Sequence, residues 1–212
     1  YYCRICNFRS RRRNRLEDHI NNHNFTCTTE YNGRFCNQLF RNLVVNFIAK
    51  KNNLYVNYSS YDKIKKLGIE LFIGEKKYNN SIILSANNLF DILSRNINFN
   101  LNANCDHFQT YKISNKIYDY LNSNYIKNKI KESNKFKNRY ENNNDIFIHV
   151  RLGDVIDVNP GTNYYLKCIK MLEYDNIYLA SDSLNHSIIK DIVKEYPSIK
   201  LIDYDEVETI QY

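Results

Sequence analysis

Proline and glycine are scarce in this sequence, with 2 Pro and 5 Gly among 212 residues. So few chain breakers exclude long flexible linkers. Apolar runs approaching the roughly 18–20 residues that span a bilayer are absent, and no signal peptide is visible. The opening on Tyr1-Tyr2 without Met leaves a lost targeting segment open. Cysteines are too scattered for a disulfide framework. Cys3 and Cys6 form one close pair, while Cys27, Cys36, Cys105 and Cys168 stand apart. That pattern points to a reducing, cytoplasmic setting with one metal site.

What is present describes a globular chain, 43% hydrophobic and 25% charged, long enough for one or two domains with a real core. Asn, Lys, Ile and Tyr are heavily used, and their shared AT-rich codons account for part of that bias. Net charge is +7, and the first 23 residues carry six Arg (4, 9, 11, 12, 13 and 15) against Glu17 and Asp18. A polyanionic partner is therefore expected first at the N-terminus.

Cys3-x2-Cys6-x12-His19-x3-His23 has the ligand spacing of a Cys2His2 zinc site. The cysteines share a tight turn, and His19 and His23 lie one helical turn apart. Phe8 and Leu16 supply the small core such a unit needs, and the metal would supply the rest of its folding energy. Residues 1–23 thus resemble a zinc finger. Its base-reading positions fall on Arg12, Arg15 and Asp18, the two arginines favouring guanine. One finger reads only about 3 base pairs, so a weak nucleic-acid contact through Arg12 and Arg15 is expected. Protein or RNA binding by the finger stays open.

Residues 24–32 read as a linker leading into a strand. From Gly33 a turn opens a helix, with Leu39, Phe40, Leu43, Val44, Phe47 and Ile48 at helical spacing, and Leu54–Val56 reads as a strand. This is a βαβ-like order whose helix N-terminus, with Asn37 and Gln38 in the first turn, suits an anion or is simply an ordinary capped helix. Farther on, 67–74 and 81–84 read as strands and 89–93 as a helix. The Lys-rich stretch 114–136 reads as helical with a solvated face.

Asp145-Ile-Phe-Ile-His-Val-Arg-Leu-Gly-Asp154 is the stretch that organises the chain. A short apolar run rich in β-formers delivers His149, Arg151 and Asp154 to a strand end, where ligands bind in open α/β sheets. A rigidly held guanidinium suits a pyrophosphate, since its planar fork makes paired charged bonds. A plain surface ion pair is the alternative. A helix at about 163–173, a strand at 176–180, a helix capped by Asp182 or Ser183 and running to about 196, and a strand at 198–202 complete a parallel sheet. Ser181 and Asp182 should then lie beside Arg151.

Gly33-Arg34-Phe35-Cys36-Asn37-Gln38-Leu39-Phe40 resembles the N-terminal motif of the α-1,2-fucosyltransferases of glycosyltransferase family 11, and a similar element occurs in protein O-fucosyltransferases. His149-Val-Arg151-Leu-Gly153-Asp154 resembles their His-x-Arg-Arg-Gly-Asp motif. Tyr164-Tyr165 and Leu179-Ala-Ser181-Asp182-Ser183 fall in order after it. Cys36, Leu152 and Ser183 depart from the family pattern, and the chain ends at Tyr212, short of a Ser-rich motif that family members carry. That end implies either a fragment or a nucleotide-binding half without one edge.

The resemblance implies a GT-B-like α/β fold of two Rossmann-type halves: an acceptor-side domain at 33–140 and an incomplete GDP-fucose-binding domain at 141–212. It implies an inverting transfer of L-fucose from GDP-fucose to a glycan acceptor, with Arg151 and Asn37 as catalytic residues. Arg34, Gln38, His149, Gly153, Asp154, Ser181 and Asp182 would bind substrate. No catalytic metal is expected, so any zinc is structural. Membrane association is typical of the family but not visible here. A second reading stays open, in which the finger is a nucleic-acid or protein binding module attached to a degenerate, inactive transferase fold.

Overall fold

The computed structural model describes residues 11, 25–29, 33–137, 143–203 and 205–211. The finger ligands Cys3, Cys6, His19 and His23, and with them Arg12, Arg15 and Asp18, lie outside the described residues. The protein is an α/β chain with parallel sheets and, among the described residues, eight α-helices, compatible with a Rossmann-like fold. It divides into two compact units, Tyr1–Glu132 and Ser133–Tyr212.

In the first unit the order is β1 (Thr26–Cys27), α1 (Phe35–Asn52), β2 (Val56–Asn57), α2 (Tyr61–Lys66), β3 (Ser81–Ile83), α3 (Leu89–Ser94), β4 (Asn100–Asn102), α4 (Tyr111–Leu121) and α5 (Asn124–Ser133). The strands are parallel in the order β2-β1-β4-β3. β1, a central strand, lies inside the stretch expected to be a linker. Thr26 within it and Thr28 just after it are buried, and Thr26 Oγ1 accepts from Leu101 N at 3.0 Å. The expected strand at 67–74 forms no ladder there, and the single helix expected over 114–136 is two helices. Asn122 Nδ2 and Ser123 Oγ bond the carbonyls of Tyr118 and Tyr120 at 3.0 and 2.7 Å and end α4.

The ladders are only two or three residues long, so much backbone must find other partners. Buried asparagines supply them. Asn46 Oδ1 accepts from Phe72 N at 2.7 Å, and Asn52 Oδ1 from Ile97 N at 2.9 Å. Asn42 Nδ2 donates to Ser59 O at 2.6 Å, and Asn100 brackets Tyr78 with bonds of 3.1 and 2.5 Å. Around them Leu43, Val44, Val45, Ile48 and Ala49 are fully buried, so α1 is covered on most sides and forms the centre of this core.

The second unit holds β5 (Ile146–Val150), α6 (Thr162–Lys170), β6 (Ile177–Ser181), α7 (Ser187–Glu195), β7 (Lys200–Ile202) and α8 (Glu206–Gln211). The sheet is parallel in the order β5-β6-β7, with Val150 opposite Ser181. Val150, Leu152, Ile169, Ile177, Leu179, Ile189 and Ile192 make its core. The boundary falls at 132/133 rather than 140/141 because residues after it bond to α8: Asn134 Nδ2 to Gln211 O at 2.7 Å, and Lys135 to Glu208. α7 is capped by His186, whose Nδ1 accepts from Ile188 N at 3.2 Å, and not by Asp182 or Ser183. Those two residues are engaged in the loop before the helix.

Candidate functional site

In the first unit the chain runs from β1 to β2 on one side and, through β3, to β4 on the other. The order reverses between β1 and β4, and the crevice beyond their carboxyl ends is where a ligand is accommodated in such sheets. Gly33 to Gln38 lie at this edge, at the start of α1. Gly33 has φ of 85°, and a Cβ there would come within 2.3 Å of Asn37 Nδ2. Only glycine allows Asn37 to close over the turn. Gln38 Nε2 donates to Gly33 O at 3.1 Å, and its Oε1 accepts from Ser60 Oγ in the loop after β2. Asn37 Oδ1 accepts from Gln109 Nε2 at 2.6 Å, in the segment after β4. The two amides therefore brace the helix start against the loops on either side. Arg34 is half-buried at the N-cap position.

Sequence reasoning missed Arg41, one helical turn further on. It is fully buried, with Nη1 donating to Thr29 O at 2.7 Å and Nε to Asp106 O at 3.4 Å. Burial lowers its pKa, while Cys105 and Asp106 oppose the shift. Arginine stays charged even so, and it ties the carboxyl ends of β1 and β4 together across the switch point. The only sequence signal for it is a cation set among apolar helix positions. Asp106 is equally engaged, accepting from Ala86 N and Phe108 N, both at 2.7 Å.

The second unit brings Arg151, Gly153, Asp154, Ser181 and Asp182 to one edge, at the ends of adjacent strands β5 and β6. Arg151 Nε and Nη2 meet Asp154 Oδ1 and Oδ2 at 3.0 and 2.7 Å, a two-bond pair with side chains 42% and 55% exposed. Asp182 does not touch that pair in the same way. Its Oδ1 accepts from Leu152 N at 2.8 Å, and both its oxygens lie 3.2 Å from Gly153 N. Ser181 is buried, and its Oγ accepts from Ser183 N at 3.1 Å. His149 is exposed on β5, opposite Ala180.

Asn159 also went unrecognised. Its Nδ2 donates to Arg151 O and to Tyr165 Oη, both at 3.0 Å, and its Oδ1 accepts from Gly161 N at 2.9 Å. The Asn-Pro-Gly turn was the available signal. Leu152, where the resembled motif has a second Arg, is 2% exposed and belongs to the unit's apolar core. The loop after β5 is thus held at three points: by Asp182 on its amides, by Asn159 on its carbonyl, and by Leu152 in the core.

Among the described residues no three His, Cys, Asp or Glu side chains gather as a metal site would require. Comparison with models of known protein families, with curated proteins and with solved structures returns no match.

Proposed function

We propose that the chain is an α-1,2-fucosyltransferase-like enzyme of GT-B-like build, moving L-fucose from GDP-fucose to a galactoside-type hydroxyl with inversion. The observation that supports this best is the state of Arg151. It stands at a strand end, half-exposed, with its fork already aimed by a carboxylate. An exposed ion pair is worth at most about 1 kcal/mol. A diphosphate can therefore replace Asp154 on the guanidinium at little cost and gain the same paired geometry with more charge.

In the reaction the bond from the anomeric carbon to the β-phosphate oxygen breaks, and the oxygen keeps the electron pair. The acceptor oxygen bonds the opposite face of that carbon and gives up its proton to a base that no residue here is assigned. Arg151 stabilises the charge growing on the departing oxygen. Asp182 and Asn159 hold the loop that carries it. Gly153, His149 and Asp154 flank the nucleotide, with Ser181 buried behind them on the Ser183 amide, and Arg34, Asn37 and Gln38 serve the acceptor side. Cys3, Cys6, His19 and His23, two thiolates and two imidazoles, are a donor set that would hold zinc, and the metal would serve folding and not transfer.

Calorimetry with GDP on the full chain tests this. Binding is expected, and Arg151→Ala should weaken it about tenfold or more, the loss of one charge-assisted pair at roughly 1.5–3 kcal/mol, with circular dichroism unchanged. Absence of heat at millimolar GDP would overturn the proposal. A second reading, a degenerate transferase fold carrying a finger that binds nucleic acid or protein, is favoured by one observation. Two carboxylates stand at this edge, Asp154 on the guanidinium and Asp182 on the neighbouring loop amides, and their negative charge opposes a phosphate. That reading expects no GDP binding and no donor hydrolysis.

A further inference from the structure

A second feature of the first unit lies at the other end of α1 from Gly33. The C-terminal half of α1, the segment 70–73, α4 and the start of α5 enclose a groove of about 840 Å3. Four lysines line it, Lys50, Lys51, Lys116 and Lys129, against one acid, Glu70, which pairs with Lys129 at 3.0 Å and leaves three lysines uncompensated by a lining acid. Aromatic rings alternate with them. Phe47 and Tyr120 meet edge to face at 5.2 Å, and Tyr125, about two-thirds exposed, stands at the rim. Two of the ammonium groups rest on these rings, Lys116 at 5.3 Å from the centre of Phe47 and Lys129 at 4.8 Å from that of Tyr125.

The charge of residues 33–132, the part of the unit that builds the groove, agrees with it. Residues 33–132 carry 15 Lys and Arg against 7 Asp and Glu, a balance of +8, whereas 133–212 carry 9 against 13, a balance of −4. The larger share of the chain's net positive charge therefore lies in residues 33–132 and not in its Arg-rich start. An acidic peptide would satisfy the lysines and leave the rings unused. A nucleotide chain satisfies both, since phosphates track cations and every base has a face to stack. A base that takes the face of Phe47 releases Lys116 to a phosphate, while Lys129 beside Tyr125 stays paired with Glu70 at 3.0 Å.

We infer that this groove binds single-stranded nucleic acid. No residue of the proposed transfer site lines the groove.

Fluorescence anisotropy of the full chain with a labelled single-stranded RNA of about 12 nucleotides, within the range of site sizes such grooves have, tests the inference. The Arg-rich N-terminus is present throughout, so matched variants carry the result. Lys50→Gln with Lys116→Gln should weaken binding at least tenfold. It should also lower the slope of log affinity against log salt by about 1.4, the release of two single-strand phosphates. Lys65→Gln with Lys76→Gln, the same charge change at exposed lysines outside the groove, should change affinity less than threefold. Tyr125→Ala should weaken binding about fivefold or more, the loss of one stacked base, and Tyr125→Phe should restore it. The Arg versions of Lys50 and Lys116 should keep binding, and GDP heats should be unaltered in every variant. Equal losses in the groove and control pairs, no binding at about 50 mM salt, or competition by poly-glutamate as strong as by unlabelled RNA would each overturn the inference.

Discussion

Asp182 separates a ligand contact from a structural brace, and its removal has a magnitude that follows from the geometry. Asp182→Ala strips the acceptor from two backbone amides, Leu152 N at 2.8 Å and Gly153 N at 3.2 Å. Gly153 is exposed, so water replaces its lost partner. Leu152 is 2% exposed, and its amide has no such replacement. An unsatisfied buried donor costs about 1–3 kcal/mol, and the lost charge-assisted bond sits in the same range, giving roughly 2–3 kcal/mol in all. For a unit of this size each 1 kcal/mol moves the midpoint by about 4–8 °C, so the second unit should melt roughly 10 °C earlier or more. Asp182→Asn keeps one neutral acceptor and should lose about 1 kcal/mol. Thermal unfolding followed by circular dichroism reads the shift, and amide hydrogen exchange at Leu152 reads its cause. A midpoint within about 2 °C of the parent, well inside the expected shift, together with unchanged exchange at Leu152, would refute the brace.

Two further outcomes follow from buried groups of the first unit. Asn52→Ala leaves Ile97 N without its 2.9 Å acceptor and should cost about 1–3 kcal/mol in urea unfolding, while Asn122→Ala, whose bond to Tyr118 O is exposed, should stay within about 0.5 kcal/mol. Burial pushes the Cys27 thiol up from 9.0 to about 11, against a smaller opposing pull from the Asn104 amide. The unfolded thiol therefore ionises first, and stability is constant below pH 9.0 but falls as pH rises from there towards 11, by roughly 2–3 kcal/mol. Cys27→Ala should flatten that fall in denaturant titrations at stepped pH between about 8.5 and 9.5, below the ordinary tyrosine value of 10.0 near which Tyr58, also raised by burial, begins to add to it.

The parts legible in the sequence were those where one signal dominated. α1 announced itself by apolar spacing from Leu39 to Ile48, and β5 by an unbroken run of β-formers ending in Arg151-Leu-Gly. β1 and β4 were not legible. Thr26–Cys27 is a two-residue strand, and Asn100-Leu-Asn102 carries a residue that strands disfavour. Their stability comes from side-chain bonds to distant backbone, such as Thr29 N to Asn104 Oδ1 at 2.8 Å across 75 residues. No local pattern encodes a bond of that span. Arg41 was invisible for the same reason, since its partners Thr29 and Asp106 flank it at long range. The high Asn content read as codon bias proves partly structural, because Asn42, Asn46, Asn52 and Asn100 are buried and bonded. His186 capped α7 because the turn through Ser183 delays the helix start.

The residues that the two motifs share with transferases do not carry equal chemical weight. Asn37, Gln38 and Asp182 each make bonds that fix a loop or a helix start, and Ser181 is buried. Changing any of these alters the frame before it alters a ligand contact. Arg151 combines a frame-fixed backbone with an exposed, exchangeable partner. Its carbonyl is held by Asn159 and the loop amides by Asp182, while its guanidinium meets Asp154 in solvent. Lost activity after changing Asn37 or Asp182 therefore reports on folding as much as on transfer. A loss of GDP affinity with an unchanged melting midpoint in Arg151→Ala is the one outcome that isolates chemistry from frame.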